Sequence, residues 1–193
     1  MSPLRKILGL GFAIMIDVTN GLLIALLVGK MYGYQPLTLF VYMLAAFFAL
    51  LPDLDIGYQM LSKSKIDSEH RSPLHYPYLF LLVTIVLAGI SSFWAIVFGM
   101  CLFTHFIHDS FDEWGIPWLA PVSSNTYSLL GKYAGKPYLF REWTPPELKA
   151  RRPEPLDEYL ETYFLQLSPT LIRSITYFII VVGIVLLTGS IKF

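Results

Sequence analysis

Leu51-Pro52-Asp53-Leu54-Asp55, His70-Arg71-Ser72-Pro73-Leu74-His75 and Thr104-His105-Phe106-Ile107-His108-Asp109, with Asp112 close behind, hold nearly every side chain able to do chemistry in this 193-residue chain. All four histidines fall within the stretch Leu51 to Asp112. Between these polar clusters the sequence is apolar, and Leu37 to Leu51, Leu74 to Ile90 and Phe93 to about Phe111 read as three helical spans. Pro77 falls in a first helical turn, where its missing N–H costs little, and Ser91-Ser92 turns one span into the next. The reading is an all-α polytopic membrane bundle whose polar groups gather at helix ends.

Ile7 to Val28 supplies a first span, notched by Asp17, Thr19 and Asn20 near mid-depth. An ionisable group there is expensive and should face the bundle interior. It serves either a functional site or, through Asn20, a helix–helix hydrogen bond. Arg5 and Lys6 precede an apolar run as in a signal peptide, but no small-x-small cleavage site follows, so an uncleaved span is expected. Leu171 to Ile191 makes the fifth span. Glu113 to Pro169 is different material, rich in proline and tryptophan and suited to the headgroup layer. Within it Leu156, Tyr159, Leu160, Tyr163, Phe164 and Leu167 form one apolar helical stripe opposite Asp157, Glu158 and Glu161, predicting a helix that lies along the interface or caps the bundle. The expected organisation is a membrane-embedded core of four spans over 1–112, an interfacial helical and loop segment over 113–170, and a C-terminal transmembrane helix over 171–193.

Composition agrees. Hydrophobic residues make up 55% and charged residues 15% of the chain, against about 25% charged in soluble domains. A formal net charge of zero leaves no basic stripe, so nucleic acid is not an expected partner and membrane lipids are. The single Cys101 excludes an intrachain disulfide and a cysteine-rich zinc finger, and reads as apolar filler. With the N-terminus in the cytoplasm, every lysine and arginine except Lys30 and Lys192 falls on the inner side. Under that topology the second span ends, the third begins and the fourth ends at one face. Asp53, Asp55, His70, His75 and the run His105 to Asp112 are then brought to one level.

Imidazole and carboxylate together are ligands for zinc-like first-row metals. His105 and Asp109 are four apart on a helix and point the same way, and His108 and Asp112 repeat the spacing on an adjoining strip. Polar glue between helices is the plainer alternative. Asp53 and Asp55 follow a helix-ending proline, where turn chemistry competes with a site role. Arg71 is either an anchor at the inner face or a grip for an anionic group such as phosphate.

On the segments Leu51 to Asp55, His70 to His75 and His105 to Asp109, the sequence resembles the YdjM-like inner-membrane proteins, a family described as metal-dependent hydrolases with a LexA-regulated member. The resemblance covers roughly residues 7 to 112. It implies a prokaryotic inner-membrane protein with a divalent metal, expected to be zinc. One departure is that the family usually carries a histidine in the first span, where this chain has Asp17 and Asn20. The order Asp, His, His-x-x-x-Asp is also similar to one zinc site of the zinc-dependent phospholipase C and P1-type nuclease group. That likeness implies Asp55, His70, His105 and Asp109 around one ion. A second ion would draw on Asp17 with Asp109, Asp53 or His75, and no histidine after His108 is left for a third.

The leading expectation is a phosphoesterase-like or phospholipase-like hydrolase acting by metal-activated water on a phosphoester or lipid-linked substrate at the cytoplasmic membrane interface. Asp53 or His108 would be its base or an orienting group, and Arg71 would hold the anionic substrate. The alternative is a non-enzymatic membrane protein that carries a metal or proton through the same cluster, which Asp17 favours. A third reading makes 113–169 a docking surface for a partner.

Overall fold

The computed structural model describes residues 2–55, 73–111, 114–133, 135–150, 156–188 and 191–192. Its framework is helical, with α1 (Pro3–Ala13), α2 (Met15–Met31), α3 (Leu39–Leu50), α4 (Pro77–Ile90), α5 (Ser92–Ser110), α6 (Pro145–Ala150), α7 (Leu156–Phe164) and α8 (Pro169–Leu187). Two-residue strands β1 (Leu37–Thr38) and β4 (Ile191–Lys192) pair in parallel. Strands β2 (Thr126–Tyr133) and β3 (Lys136–Trp143) form an antiparallel hairpin. Serine side chains cap three of the helices: Ser2 accepts from the Arg5 N–H, Ser91 from Trp94 and Ser168 from Leu171, satisfying donors that a helix start leaves open.

Two described helices, α5 and α8, each 19 residues long, are long and apolar enough to cross a membrane, and the pair α1–α2, bent by 41°, makes a third if it counts as one broken span. The 12 residues of α3 and 14 of α4 reach only ~18 and ~21 Å at about 1.5 Å per residue, short of a hydrocarbon core of about 30 Å. Hydropathy alone suggested five spans. Pro52 and Pro77, which stop one helix and start the other, shorten two of them. Near the α1–α2 bend the Thr19 hydroxyl donates to the Met15 carbonyl at 2.6 Å, the kind of back-bonding that bends helices.

The core gathers around α2. Ile24, Ala25, Leu26 and Val28 pack with Tyr42, Ala45 and Ala49 of α3, with Phe93, Val97 and Cys101 of α5, and with Val181 and Val185 of α8. Small residues set the α2–α3 distance. A Cβ added at Gly21 would stand 2.7 Å from the Ala45 carbonyl oxygen, so only glycine admits the neighbouring backbone there.

The segment 113–170, expected as helix and loop, contains the β2–β3 hairpin. Its aromatic residues, Tyr127, Tyr133, Tyr138, Phe140 and Trp143, favour a pleated surface, and Gly135 at φ +76° sits in the connection, where a tight hairpin turn needs positive φ. Trp143 is fully buried and donates from Nε1 to Ser128 Oγ at 2.7 Å. The helix expected from the apolar stripe is present as α7. It buries Leu160 and Phe164, lies against α1 at Gly9, and is tied there by ion pairs Arg5–Glu161 at 2.6 Å and Lys6–Asp157 at 3.0 Å.

Candidate metal centre

Four chain segments deliver the polar side chains. Just past the α1–α2 bend, α2 presents Asp17 in its first turn. The turn that ends α3 carries Asp53 and Asp55. It is held by the Asp53 N–H donating to the Leu50 carbonyl at 3.1 Å and the Leu54 N–H to the Leu51 carbonyl at 3.3 Å. His75 closes a 3-10 turn, Pro73–His75, immediately before α4. The last turns of α5 supply His105, His108 and Asp109, since positions three and four apart share a helix face.

Among the described residues, Asp53, His75 and His105 each offer one ligand atom within 4.8 Å of the others. His75 Nδ1 lies 3.0 Å from Asp55 Oδ2. A ring whose Nδ1–H donates to a carboxylate presents Nε2 as a lone pair, the arrangement usual behind a metal-ligating histidine. Asp109 Oδ2 lies 3.4 Å from His75 Nε2 and 3.5 Å from His105 Nε2. Asp53 Oδ1 is 3.7 Å from His105 Nε2. On the other side of the ring, Asp17 reaches His105 Nδ1 at 3.4 Å with Oδ1 and His108 Nδ1 at 3.6 Å with Oδ2.

The cluster has a floor and a mouth. Asp17, Asp55, His75 and His105 are buried. Asp53 and Asp109 side chains are each 21% exposed and His108 is 40% exposed, so these three line the approach. Both ring nitrogens of His105, Nδ1 of His108 and Oδ1 of Asp17 are buried without a hydrogen-bond partner among the described residues. These atoms meet their ion-pair partners only at 3.4–3.7 Å, too long for good hydrogen bonds, and four aspartates facing three imidazoles concentrate negative charge. A divalent cation answers both demands. Zinc-like ions hold nitrogen and oxygen ligands at about 2.0–2.2 Å, so small side-chain movements would close this constellation on one ion. The residues present fit the metal that the sequence implies.

The structure distributes the sequence candidates in a way the spacing did not specify. Asp53 and His75 stand beside His105 in the triad, and Asp55 lies behind His75. Asp53 and Asp55 are two apart in a turn and so face different ways; nothing in the one-dimensional pattern says which faces the cation. The Asp55–His75 hydrogen bond joins residues 20 apart, and no local signal announces it. The polar residues of the first span divide between two places. Asp17 enters the cluster, while Asn20 accepts a hydrogen bond from the Tyr177 hydroxyl of α8 at 2.9 Å. His70 and Arg71, together with Asp112, lie outside the described residues. Cys101, one turn before His105, is buried in the apolar core. Sequence reasoning missed Ser110 and Trp118. The Trp118 indole donates to Ser110 Oγ at 2.9 Å and pins the end of α5 to the following segment.

The family model described as YdjM inner membrane protein matches residues 15–192, and the chain belongs to that family. No curated protein and no solved structure matches it.

Proposed function

We propose that this member of the YdjM inner membrane protein family is a membrane-bound metal-dependent hydrolase acting on a phosphoester or lipid-linked substrate at the cytoplasmic face. The observation that carries the reading is the meeting of Asp53, His75 and His105, from three separate segments, within 4.8 Å. A divalent ion held there, zinc by the donor set, would polarise a phosphoryl or carbonyl oxygen and bring the pKa of a water towards about 7.

The chain's own residues divide the remaining work. Asp53, His75 and His105 hold the ion, with Asp109 beside both histidines as a further ligand. Asp55 fixes the His75 ring. His108, at the mouth, is the candidate base: with its Nδ1 turned to Asp17, a proton carried there leaves Nε2 to accept one. Arg71 is assigned the substrate's anionic group for its guanidinium, and His70 a place among the ligands, as the likeness to the phospholipase C and P1-type nuclease site would imply. The proposed topology keeps the N-terminus cytoplasmic. It treats α3 and α4 as the remaining two of five membrane helices, with 1–112 as the core and 113–170 as an interfacial segment. Purified protein is expected to carry near-stoichiometric metal by elemental analysis and to hydrolyse a phosphodiester or lipid ester in a chelator-sensitive manner. Absence of metal, or full activity in His105→Ala, would end this reading.

One observation favours a second reading. Asp17 is a buried acid inside an apolar helix and touches two histidines, as a carrier of a metal ion or proton requires. Metal uptake into proteoliposomes that disappears in Asp17→Asn, with no hydrolysis by either protein, would select it.

A further inference from the structure

Ile96, Met100, Phe103, Ile107 and Phe111 recur at three- and four-residue intervals along α5 and its C-cap, so they share one face. Ile96, Met100, Phe103 and Phe111 are exposed, which is how a spanning helix of an inner-membrane protein meets lipid. At Ile107 this stripe enters an apolar groove of about 300 Å³, walled by Trp118, Leu119, Tyr127, Leu129 and Phe140. That is the lower end of ordinary ligand-site volumes.

The polar atoms of the groove walls are already engaged. The Trp118 indole donates to Ser110 Oγ, and the Ser110 hydroxyl donates to the Phe106 carbonyl at 2.8 Å. The Tyr127 hydroxyl donates to Glu142 at 3.1 Å, and its ring stacks on Phe140 with centroids 5.8 Å apart. Such walls suit hydrocarbon and give an ion, a headgroup or a peptide backbone little to bond. The groove also shares the last turns of α5 with the metal centre. The two sites lie on opposite sides of that helix, since at 3.6 residues per turn His105 and Asp109 each point roughly 160° away from Ile107.

We propose that this groove, where the lipid-facing stripe of α5 meets the β2–β3 hairpin, holds one acyl chain of a bilayer phospholipid. A bilayer lipid is the occupant because the groove continues the surface that α5 presents to the membrane. The placement of the chain stands on the groove and does not depend on the hydrolase reading.

The test uses full-length protein in nanodiscs of phosphatidylethanolamine containing phosphatidylglycerol with a photoactivatable diazirine near the end of one acyl chain. Mass spectrometry of the irradiated protein should find label concentrated on Ile107, Leu129 and Phe140 relative to Ile96 and Met100. Leu129→Trp, which fills the groove, should lower that enrichment by roughly ten-fold, about the worth of two sheltered methylenes. Leu119→Glu changes an exposed rim position and should act the same way while metal content stays at the wild-type level. Label spread evenly along the α5 stripe would overturn the proposal, as would enrichment that survives both substitutions. Enrichment at the groove in a protein that hydrolyses no lipid would uphold the chain site and remove the hydrolase reading instead.

Discussion

Helices α2 and α4 are both apolar, yet they sit oppositely in the molecule. α2 contains Asp17, Thr19, Asn20 and three small residues, Gly21, Ala25 and Gly29, and packs against α3, α5 and α8. α4 carries a nearly unbroken run of large aliphatic and aromatic residues and buries none of them among the described residues. Leu81, Leu82, Val83, Ile85, Val86 and Ile90 all stand exposed. In water the greasier helix would be the inner one. In hydrocarbon, apolar surface gains nothing by leaving lipid, so small residues that allow close approach and polar residues that need partners decide which helix is central. α2 is central because it has both.

The largest effects are expected at the glycines of the two helices. Gly21→Val would drive side-chain atoms into the Ala45 and Ala46 backbone, 2.7 Å from an added Cβ, and should cost about 3 kcal/mol in thermal or denaturant unfolding in detergent. Gly89→Ala in α4 meets nothing within 4 Å and should be neutral or stabilising by up to ~1 kcal/mol. Equal losses at the two sites would mean that the face of α4 carrying Gly89 has a packing partner beyond α5.

The polar face of α2 comes next. Asp17→Asn keeps the shape of the side chain but removes the carboxylate facing His105 and His108. Metal affinity should fall by about 10–100-fold, the usual consequence of losing a group behind a ligand, with unfolding little changed. Asp55→Asn should act likewise through His75, and competitive chelator titration measures both. If affinity drops in Asp55→Asn and holds in Asp17→Asn, the role of Asp17 lies in transport or proton transfer instead.

Smaller effects sharpen the same contrast. Tyr177→Phe deletes the hydroxyl that reaches Asn20 from α8 and should cost about 0.6 kcal/mol, the average for interhelical hydrogen bonds in a membrane. Val86→Ala on the exposed face of α4 should stay within about 0.5 kcal/mol of wild type in unfolding measurements. A larger loss would reveal a packing partner for that face.

Much of the helical framework was legible because hydropathy and proline act locally. The α4–α5 hairpin follows from Pro77 and the Ser91 cap, and α7 follows from its apolar stripe. The β2–β3 hairpin was hidden because its aromatics lie among prolines and tryptophans that equally suit an interfacial loop. Its pairing joins residues such as Thr126 and Trp143, which no short window compares. The candidate ligands were legible as a set, since imidazoles and carboxylates stand out in an apolar chain. Their division between triad and support was not, because Asp53 and Asp55 are chemically alike and differ only in the direction that a turn gives them.

The sequence by itself determined that this is an apolar, mostly helical chain of the membrane, with its histidines and a group of aspartates confined to helix ends and one acid placed inside a helix. Those properties are written in residue type and spacing. Tertiary structure alone decided that Asp53 stands with His75 and His105 while Asp55 stands behind His75, that Asp17 rather than Asn20 joins them, and that α2 lies inside and α4 outside. Such choices depend on distances between segments far apart in the chain, which are set by how closely helices approach and which way a turn points.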